Sequence, residues 1–263
     1  MKKRWMALLG AAVVTINLFA GCGSTGAEQT GNNADGTATE AVQGKDSAGG
    51  GNTAQSVAGT ADTVIVAMSP SSEPAAGFNP CINWGCGEHC HEPLIQSTLI
   101  RTNVDMEFEN DLATDYSVSE DGLTWTFHIR DDVKFTDGEP LTASDVAFTF
   151  NTALATPNSE ADLSMLDSVE APDDTTVIFH MSKPYNAFLY TLAVFGIVPE
   201  HCYDEAAYGE NPVGSGRYIL TQWDKGQQAI LEANPDYYGD EVRMKKVIVL
   251  FMEEDAALAA GKA

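Results

Sequence analysis

Residues 111–151 constrain the fold more than any other part of this sequence. Apolar side chains occupy every second position from Leu123 to Ile129, with threonine and histidine between them. This period of two predicts a half-buried strand. Asp121-Gly122 and Asp137-Gly138 flank the strand and predict turns, because glycine tolerates positive φ. Thr142 then precedes Asp145 by three residues, which is the spacing of a capping box and predicts the start of a helix.

The rest of the folded part shows strand and helix patterns in alternation. A β-branched run predicts the first strand at Thr63–Met68, with Val64 and Val66 buried and paired near the strand after Gly216. Other strands are predicted at residues 177–181, 217–220, 228–232 and 247–252, and helices at residues 92–101 and 185–192. Trp125 and Trp223 are expected in the core. The elements follow no strict β-α-β order, so the sequence predicts an α/β class with a mixed sheet.

Three motifs in this order resemble the extracellular solute-binding proteins of family 5, which are receptors of ABC importers. They are the segment 111–151, the turn at Pro212–Tyr218 and the segment Asn234–Tyr238. The resemblance implies a lobe like that of type II periplasmic binding proteins over residues 62–263, with a mixed β-sheet and an inserted subdomain. Residues 255–263 resemble a helix that leads into a second lobe, so the resemblance also implies an N-terminal fragment with the second lobe missing.

The N-terminus has the pattern of a lipoprotein signal peptide at residues 1–21. Three basic residues precede an apolar run at Trp5–Phe19, which is shorter than the ~20 residues of a membrane-spanning helix. Ala20-Gly21-Cys22 resembles a lipobox, and this predicts lipidation of Cys22 on the extracytoplasmic face of the cell membrane. The alternative is an ordinary signal peptide with a chance cysteine. Residues 22–61 hold few large apolar side chains and predict a flexible tether.

The charge balance excludes some partners. With 38 acidic and 14 basic residues, the chain has a formal net charge of −24, which repels nucleic acid. Two interpretations of this charge stay open: a preference for cationic or metal-bearing ligands, or solubility outside the cell.

The loop after the first strand has an unusual composition, with cysteines and histidines close together. Thiolates and imidazoles at such short spacing bind zinc, copper(I) or nickel, so the candidate metal ligands are Cys86, His89, Cys90 and His91. The other interpretation favours disulfides or idle thiols. Without Cys22 four cysteines remain, which allow three pairings: Cys81, Cys86, Cys90 and Cys202. The structural interpretation is favoured, and the metal interpretation stays open.

The resemblance implies that this loop lines the ligand cleft. Asn83 and Trp84 lie at its centre and are candidate ligand contacts, although Trp84 could equally pack in the core. Phe195 is a third candidate, in the segment that matches a second cleft segment of the family. Nickel-binding relatives have an arginine there that holds a chelator carboxylate. Residues 193–197 contain no base, which argues against the same mode of binding.

The sequence contains no catalytic motif. Gly214-Ser215-Gly216 lacks the lysine and spacing of a phosphate-binding loop, and no G-x-S-x-G is present. Together with this absence, the resemblance to family 5 implies a monomeric substrate-binding lipoprotein without enzymatic activity or cofactor. It would capture an oligopeptide or related small solute and deliver it to ABC permease subunits. The alternatives are a receptor for nickel or another metal complex, and a surface metal-binding or sensory lipoprotein.

Overall fold

The computed structural model describes residues 62–82, 93–156 and 162–260. Its strands are β1 (Thr63–Met68), β2 (Ile100–Thr102), β3 (Phe108–Asn110), β4 (Ala113–Val118), β5 (Thr124–Ile129), β6 (Leu166–Asp173), β7 (Thr176–Met181), β8 (Tyr218–Asp224), β9 (Gln228–Ala233) and β10 (Lys246–Phe251). The helices are α1 (Ala143–Ala155), α2 (Phe188–Val194) and α3 (Glu254–Ala260), with 3-10 helices at Pro70–Ser72 and Glu200–Cys202. Across these ranges no helix has the length and apolar character needed to cross a membrane.

The strands form two four-stranded sheets and a small ribbon. Sheet I has the order β1-β10-β9-β8, sheet II has the order β4-β5-β7-β6, and β2 pairs with β3. In sheet I, β1 runs parallel to β10, whereas β10, β9 and β8 are antiparallel. The prediction of a mixed sheet is therefore confirmed. The first strand does lie in the same sheet as the strand after Gly216, but it pairs with β10, and β9 separates β10 from β8.

Sheet II holds most of the apolar core. The predicted alternation in β5 is confirmed: Trp125, Phe127 and Ile129 are buried, while His128 is exposed. Helix α1 packs against β6 and β7. Phe179 of β7 lies at the centre of the core, with its ring edge-on to those of Phe127 and other aromatic residues. The alternating apolar residues of β5 therefore lie on the buried face of sheet II, as the sequence predicted.

The predicted helix start at Thr142 is also confirmed. The Asp145 carboxylate accepts hydrogen bonds from the backbone nitrogen of Thr142 at 2.8 Å and from its hydroxyl at 3.1 Å. The other carboxylate oxygen of Asp145 accepts from the backbone nitrogen of Glu200 at 2.9 Å. Asp145 thus stabilises the first turn of α1 and ties it to the 3-10 helix at Glu200–Cys202.

The predicted helix at residues 92–101 is wrong, because residues 93–99 form an irregular segment with bends that leads into β2. Its carbonyls bond to segments far away in the sequence. Leu94 and Ile95 accept from Tyr218 and Gly216, at 2.9 and 2.8 Å. The carbonyls of this segment therefore pair with distant segments and not with residues four positions further along, as they would in a helix.

The predicted burial of β1 is also wrong. Val64 and Val66 are 37% and 40% exposed. Among the described residues, the strand is at the edge of sheet I and pairs with β10 alone. The backbone of β1 pairs with β10, but little packs on the two faces of this edge strand, so its β-branched side chains stay exposed.

Trp223 of β8 departs from the prediction as well, since it is half-buried and lies outside both apolar clusters. Its indole nitrogen donates to the Glu73 carboxylate at 2.9 Å, and its ring is edge-on to Phe78. An indole N–H needs a hydrogen-bond partner, and this one is supplied at the rim of sheet I.

Candidate functional site

Most of the predicted site residues lie outside the described residues. This holds for Cys22 and for Asn83, Trp84, Cys86, His89, Cys90 and His91, which fall in residues 83–92. Their roles stay predictions. The chain on both sides of residues 83–92 is described, and it shows how the lobe holds the base of the loop.

The segment between β1 and the loop is fixed to sheet I and to a distant turn. The Glu73 carboxylate accepts from the backbone nitrogen of Gly226 at 2.8 Å, in the β8–β9 turn. Phe78 donates its backbone N–H to the carbonyl of Gly209 at 2.8 Å. Gly77 has a φ of +74°, and a Cβ there would lie 2.3 Å from the Gly209 oxygen. Only glycine fits this crossing without displacing the backbone.

The first residues of the loop are anchored in the core. The Asn79 side-chain amide donates to the Tyr203 hydroxyl at 3.0 Å and to the Glu205 carbonyl at 3.4 Å. Its oxygen accepts from the backbone nitrogen of Cys81 at 3.0 Å. Asn79 and Cys81 are both fully buried. A buried amide with these three partners fixes the path of the chain as it leaves the core.

Cys81 behaves as a core residue and not as a reactive thiol. Its sulfur lies 3.7 Å from the Thr149 carbonyl, and burial raises the pKa of the Cys81 thiol to about 12. The thiol is therefore neutral near pH 7. Cys81 and Cys202 are both free, so they do not form one of the predicted disulfides. The pairings that need Cys86 and Cys90 fall on undescribed residues.

The chain that returns from the loop lies between two other segments. Ile95 accepts from Gly216 on one side, and Ser97 accepts from the backbone nitrogen of Ile197 at 2.9 Å on the other. A Cβ on Gly196 would lie 2.5 Å from the Cβ of Gln96, so the contact requires a residue without a side chain at this position.

Gln96 closes the base of the loop. Its buried side-chain amide donates to the Phe78 carbonyl at 3.0 Å and to the Tyr208 hydroxyl at 3.3 Å. The first contact joins the chain before the loop to the chain after it. The resemblance places Asn79 at the flank of the loop, but sequence reasoning missed its anchoring role and missed Gln96, since residue type alone does not distinguish a buried amide from a solvated one.

Two of the motifs that carry the family resemblance meet at this same junction. The Asn234 side chain donates to the Gly216 carbonyl at 2.9 Å and accepts from the backbone nitrogen of Asp236 at 3.0 Å. Gly214 accepts from the backbone nitrogen of Thr136 at 2.9 Å, and a Cβ on it would lie 2.0 Å from the Ile95 oxygen. These motifs therefore build the frame that supports the loop.

Phe195 is the one predicted ligand contact among the described residues. Its side chain is fully buried, and its ring centroid lies 4.9 Å from that of Phe150 in the core of sheet II. The structure thus gives it a packing role, and contact with a ligand stays a prediction.

Comparison with known proteins agrees with this architecture. The family model of bacterial extracellular solute-binding proteins, family 5 (middle), matches residues 107–263. The chain is 35% identical over 185 residues to the "Probable D,D-dipeptide-binding periplasmic protein DdpA" of Escherichia coli K12, covering 66% of this chain and 36% of that protein. It is 35% identical over 206 residues to "Protein XP55" of Streptomyces lividans, covering 75% and 37%.

Solved structures show the same lobe. NikZ of Campylobacter jejuni, in complex with Ni(L-His), matches with a TM-score of 0.68 and 29% identity, covering 76% of this chain and 41% of that one. AppA of Bacillus subtilis, in complex with a nonapeptide, matches with a TM-score of 0.67 and 28% identity, covering 76% and 42%. The chain spans little more than a third of these curated relatives and about two fifths of these structures. Its sheets have the fold of type II periplasmic binding proteins, and because the family model matches more than half of the chain, the protein belongs to the bacterial extracellular solute-binding proteins of family 5.

Proposed function

We propose that this protein is the substrate-binding component of an ABC importer. It would capture a peptide or a related small solute outside the cell membrane and deliver it to the permease subunits. Family membership carries this proposal, together with 35% identity to a protein named for D,D-dipeptide binding and the shared lobe of AppA, solved with a nonapeptide. The family consists of solute-binding receptors, and we propose no catalytic activity.

We further propose that the loop at residues 79–91 contributes to the ligand cleft through Asn83 and Trp84. The support is its base, where Asn79 is bonded to the core and Gln96 joins the two chain ends. Fixed ends restrict the conformations of a binding loop and so lower the entropy that ligand binding costs. A tryptophan there would stack on a ligand or cover an apolar side chain.

A metal complex is the second candidate ligand. The observation that favours it is the match to NikZ, solved with Ni(L-His), together with the thiol and imidazole content of residues 86–91. Residues 193–197 contain no basic side chain that could bind the carboxylate of a metal chelate, which argues against that kind of ligand.

We propose that Cys22 carries a lipid that holds the protein, as a monomer, on the extracytoplasmic side of the membrane. Residues 23–61 would act as the tether. Changing Cys22 to Ala should release the protein or leave its signal peptide uncleaved, as seen by membrane fractionation and intact mass. Normal cleavage with unchanged membrane retention would contradict the anchor.

Calorimetric titration of the natural full-length protein tests the proposed ligand class. Short peptides should bind, and Trp84→Ala should weaken them by about 1–2 kcal/mol, since one stacking aromatic residue contributes on that order. Tyr190→Ala is the matched control, because Tyr190 is a half-exposed aromatic residue on α2. Tight binding of Ni(L-His) with no response to peptides would favour the second candidate. Equal peptide affinities in the wild type, Trp84→Ala and Tyr190→Ala would show that Trp84 does not contact the ligand.

A further inference from the structure

Among the described residues, three side chains with metal-ligating atoms come together on the surface of the lobe. The Nε2 atom of His201 lies 2.7 Å from Oδ2 of Asp137, and the Sγ atom of Cys202 lies 3.8 Å from the same oxygen. All three ligand atoms lie within 4.8 Å of one another, and all three residues are exposed.

The segment that carries Asp137 is held in place by the backbone. Glu139 donates its backbone N–H to Oδ1 of Asp137 at 3.2 Å, which leaves Oδ2 directed toward His201. The neighbouring Thr136 donates its backbone N–H to the Gly214 carbonyl at 2.9 Å. The carboxylate therefore sits on a fixed turn and does not depend on a flexible loop.

The other two groups are consecutive residues of the 3-10 helix at Glu200–Cys202. The backbone nitrogen of Glu200 is bonded to Asp145 at the start of α1 at 2.9 Å, and the Glu200 carboxylate accepts from the Ser144 hydroxyl at 2.7 Å. The ligand atoms thus approach from two anchored segments, which is the pre-organisation that a metal site requires.

A carboxylate oxygen, an imidazole nitrogen and a sulfur are together the ligands of a divalent cation of intermediate softness, such as zinc. Zinc binds carboxylate oxygen, imidazole nitrogen and thiolate sulfur at about 2.0–2.3 Å, so tetrahedral ligands lie about 3.5 Å apart. The separations here are 2.7 Å, 3.8 Å and at most 4.8 Å, so side-chain rotations of about an ångström or less per ligand atom can bring them to that spacing. We propose that Asp137, His201 and Cys202 form a zinc-class metal site with water as the fourth ligand.

The local charge favours a cation. Asp137 places one carboxylate at the site, and Asp145, which accepts from the backbone nitrogen of Glu200, places a second carboxylate next to the 3-10 helix. A cation between Asp137 and Cys202 would be attracted by the same carboxylates and would offset their repulsion of a thiolate. Bound metal would cross-link the turn at Asp137 to the 3-10 helix, whatever solute the protein carries.

The structure supplies a matched comparison for this site. His128 and Asp115 form another exposed imidazole–carboxylate pair, with Nδ1 and Oδ1 2.8 Å apart on neighbouring strands of sheet II. No cysteine is part of that cluster among the described residues. An ion pair needs only an imidazole and a carboxylate, whereas the proposed metal site also needs the thiol.

The test uses the full-length protein with Cys86→Ser and Cys90→Ser, kept reduced, so that the loop cysteines cannot supply the thiolate. Zinc affinity is measured by competition with a chromophoric chelator, and cobalt(II) reports sulfur ligation through its thiolate charge-transfer absorption. We expect one equivalent of either metal to bind with a thiolate band. Cys202→Ser should abolish the band, and both it and His201→Gln should weaken zinc by at least about 100-fold. His128→Gln should leave zinc affinity unchanged.

Three results would overturn the site: no metal binding to the background protein, a thiolate band that persists in Cys202→Ser, or equal losses in His201→Gln and His128→Gln. Circular dichroism of the metal-free variants establishes that each is folded, and Cys202→Ala replaces the serine variant if it is not. Peptide titration of the same proteins separates this site from the proposed function, since peptide affinity should not follow the zinc affinity.

Discussion

The two sheets of the lobe differ in how completely they are buried. Sheet II packs against α1 and α2 around six fully buried phenylalanines, namely Phe127, Phe135, Phe150, Phe179, Phe188 and Phe195. The buried cluster under sheet I is small and consists of Ile95, Tyr218, Leu231 and Val247. Its edge strand β1 exposes more than a third of each of three consecutive apolar side chains. We infer that sheet II supplies most of the stability of the described lobe, while sheet I mainly positions the chain that enters the loop.

The largest effect is expected at the centre of sheet II. Phe179 is fully buried, and its ring lies 5.0–5.6 Å from those of Phe127, Phe150 and Phe188. Phe179→Ala should lower the free energy of unfolding by about 3–5 kcal/mol, because the surrounding rings cannot fill the cavity. Urea unfolding followed by near-UV circular dichroism measures this. Phe179→Leu keeps most of the volume and should cost less, and a loss below about 1 kcal/mol in the alanine variant would contradict the assignment.

A leucine in each sheet's core sharpens the comparison. Leu112 is fully buried in the sheet II cluster, and Leu231 is 3% exposed in the sheet I cluster. Leu112→Ala should cost about 4 kcal/mol and Leu231→Ala about 2–3 kcal/mol, since the smaller cluster can relax around the deletion. The same urea experiment compares them directly. Equal or reversed losses would show that the two cores are equally well packed.

The smallest effect is expected at the edge of sheet I. Val66→Thr keeps a β-branched side chain at a site that is 40% exposed, so it should change stability by no more than about 0.5 kcal/mol. Val177→Thr is the matched change at a fully buried site in sheet II, where the new hydroxyl should cost about 1–3 kcal/mol. If Val66→Thr were as damaging as Val177→Thr, β1 would be enclosed in the protein and our account of sheet I would fail.

The same contrast explains what sequence reasoning could predict. The strand at residues 123–129 and the helix start at Thr142 depend on local patterns, and both were predicted. The irregular path of Leu94 and Ile95 depends on hydrogen bonds from Gly216 and Tyr218, which lie far along the chain, and it was mispredicted as a helix. A β-branched run predicted β1 but not its exposure, because burial depends on what packs against a strand.

The candidate site shows a similar division. Composition drew attention to the loop, and the resemblance placed it in a cleft, but the buried amides of Asn79 and Gln96 that hold its base carry no local signal. Asp137 was predicted only as part of a turn, and its approach to His201 and Cys202 appears only when the fold joins residues from two segments. Contacts between distant segments therefore carry the part of the site that one sequence cannot reveal.

Native mass spectrometry of the natural full-length protein, purified from its host without refolding, tests the central claim most directly. If the protein is a peptide receptor, a fraction should carry a bound peptide that is released on denaturation and can be sequenced. Trp84→Ala should reduce that fraction, while Tyr190→Ala should not. A folded protein that carries only a metal complex, or no solute even after incubation with short peptides, would contradict the proposed peptide-binding function.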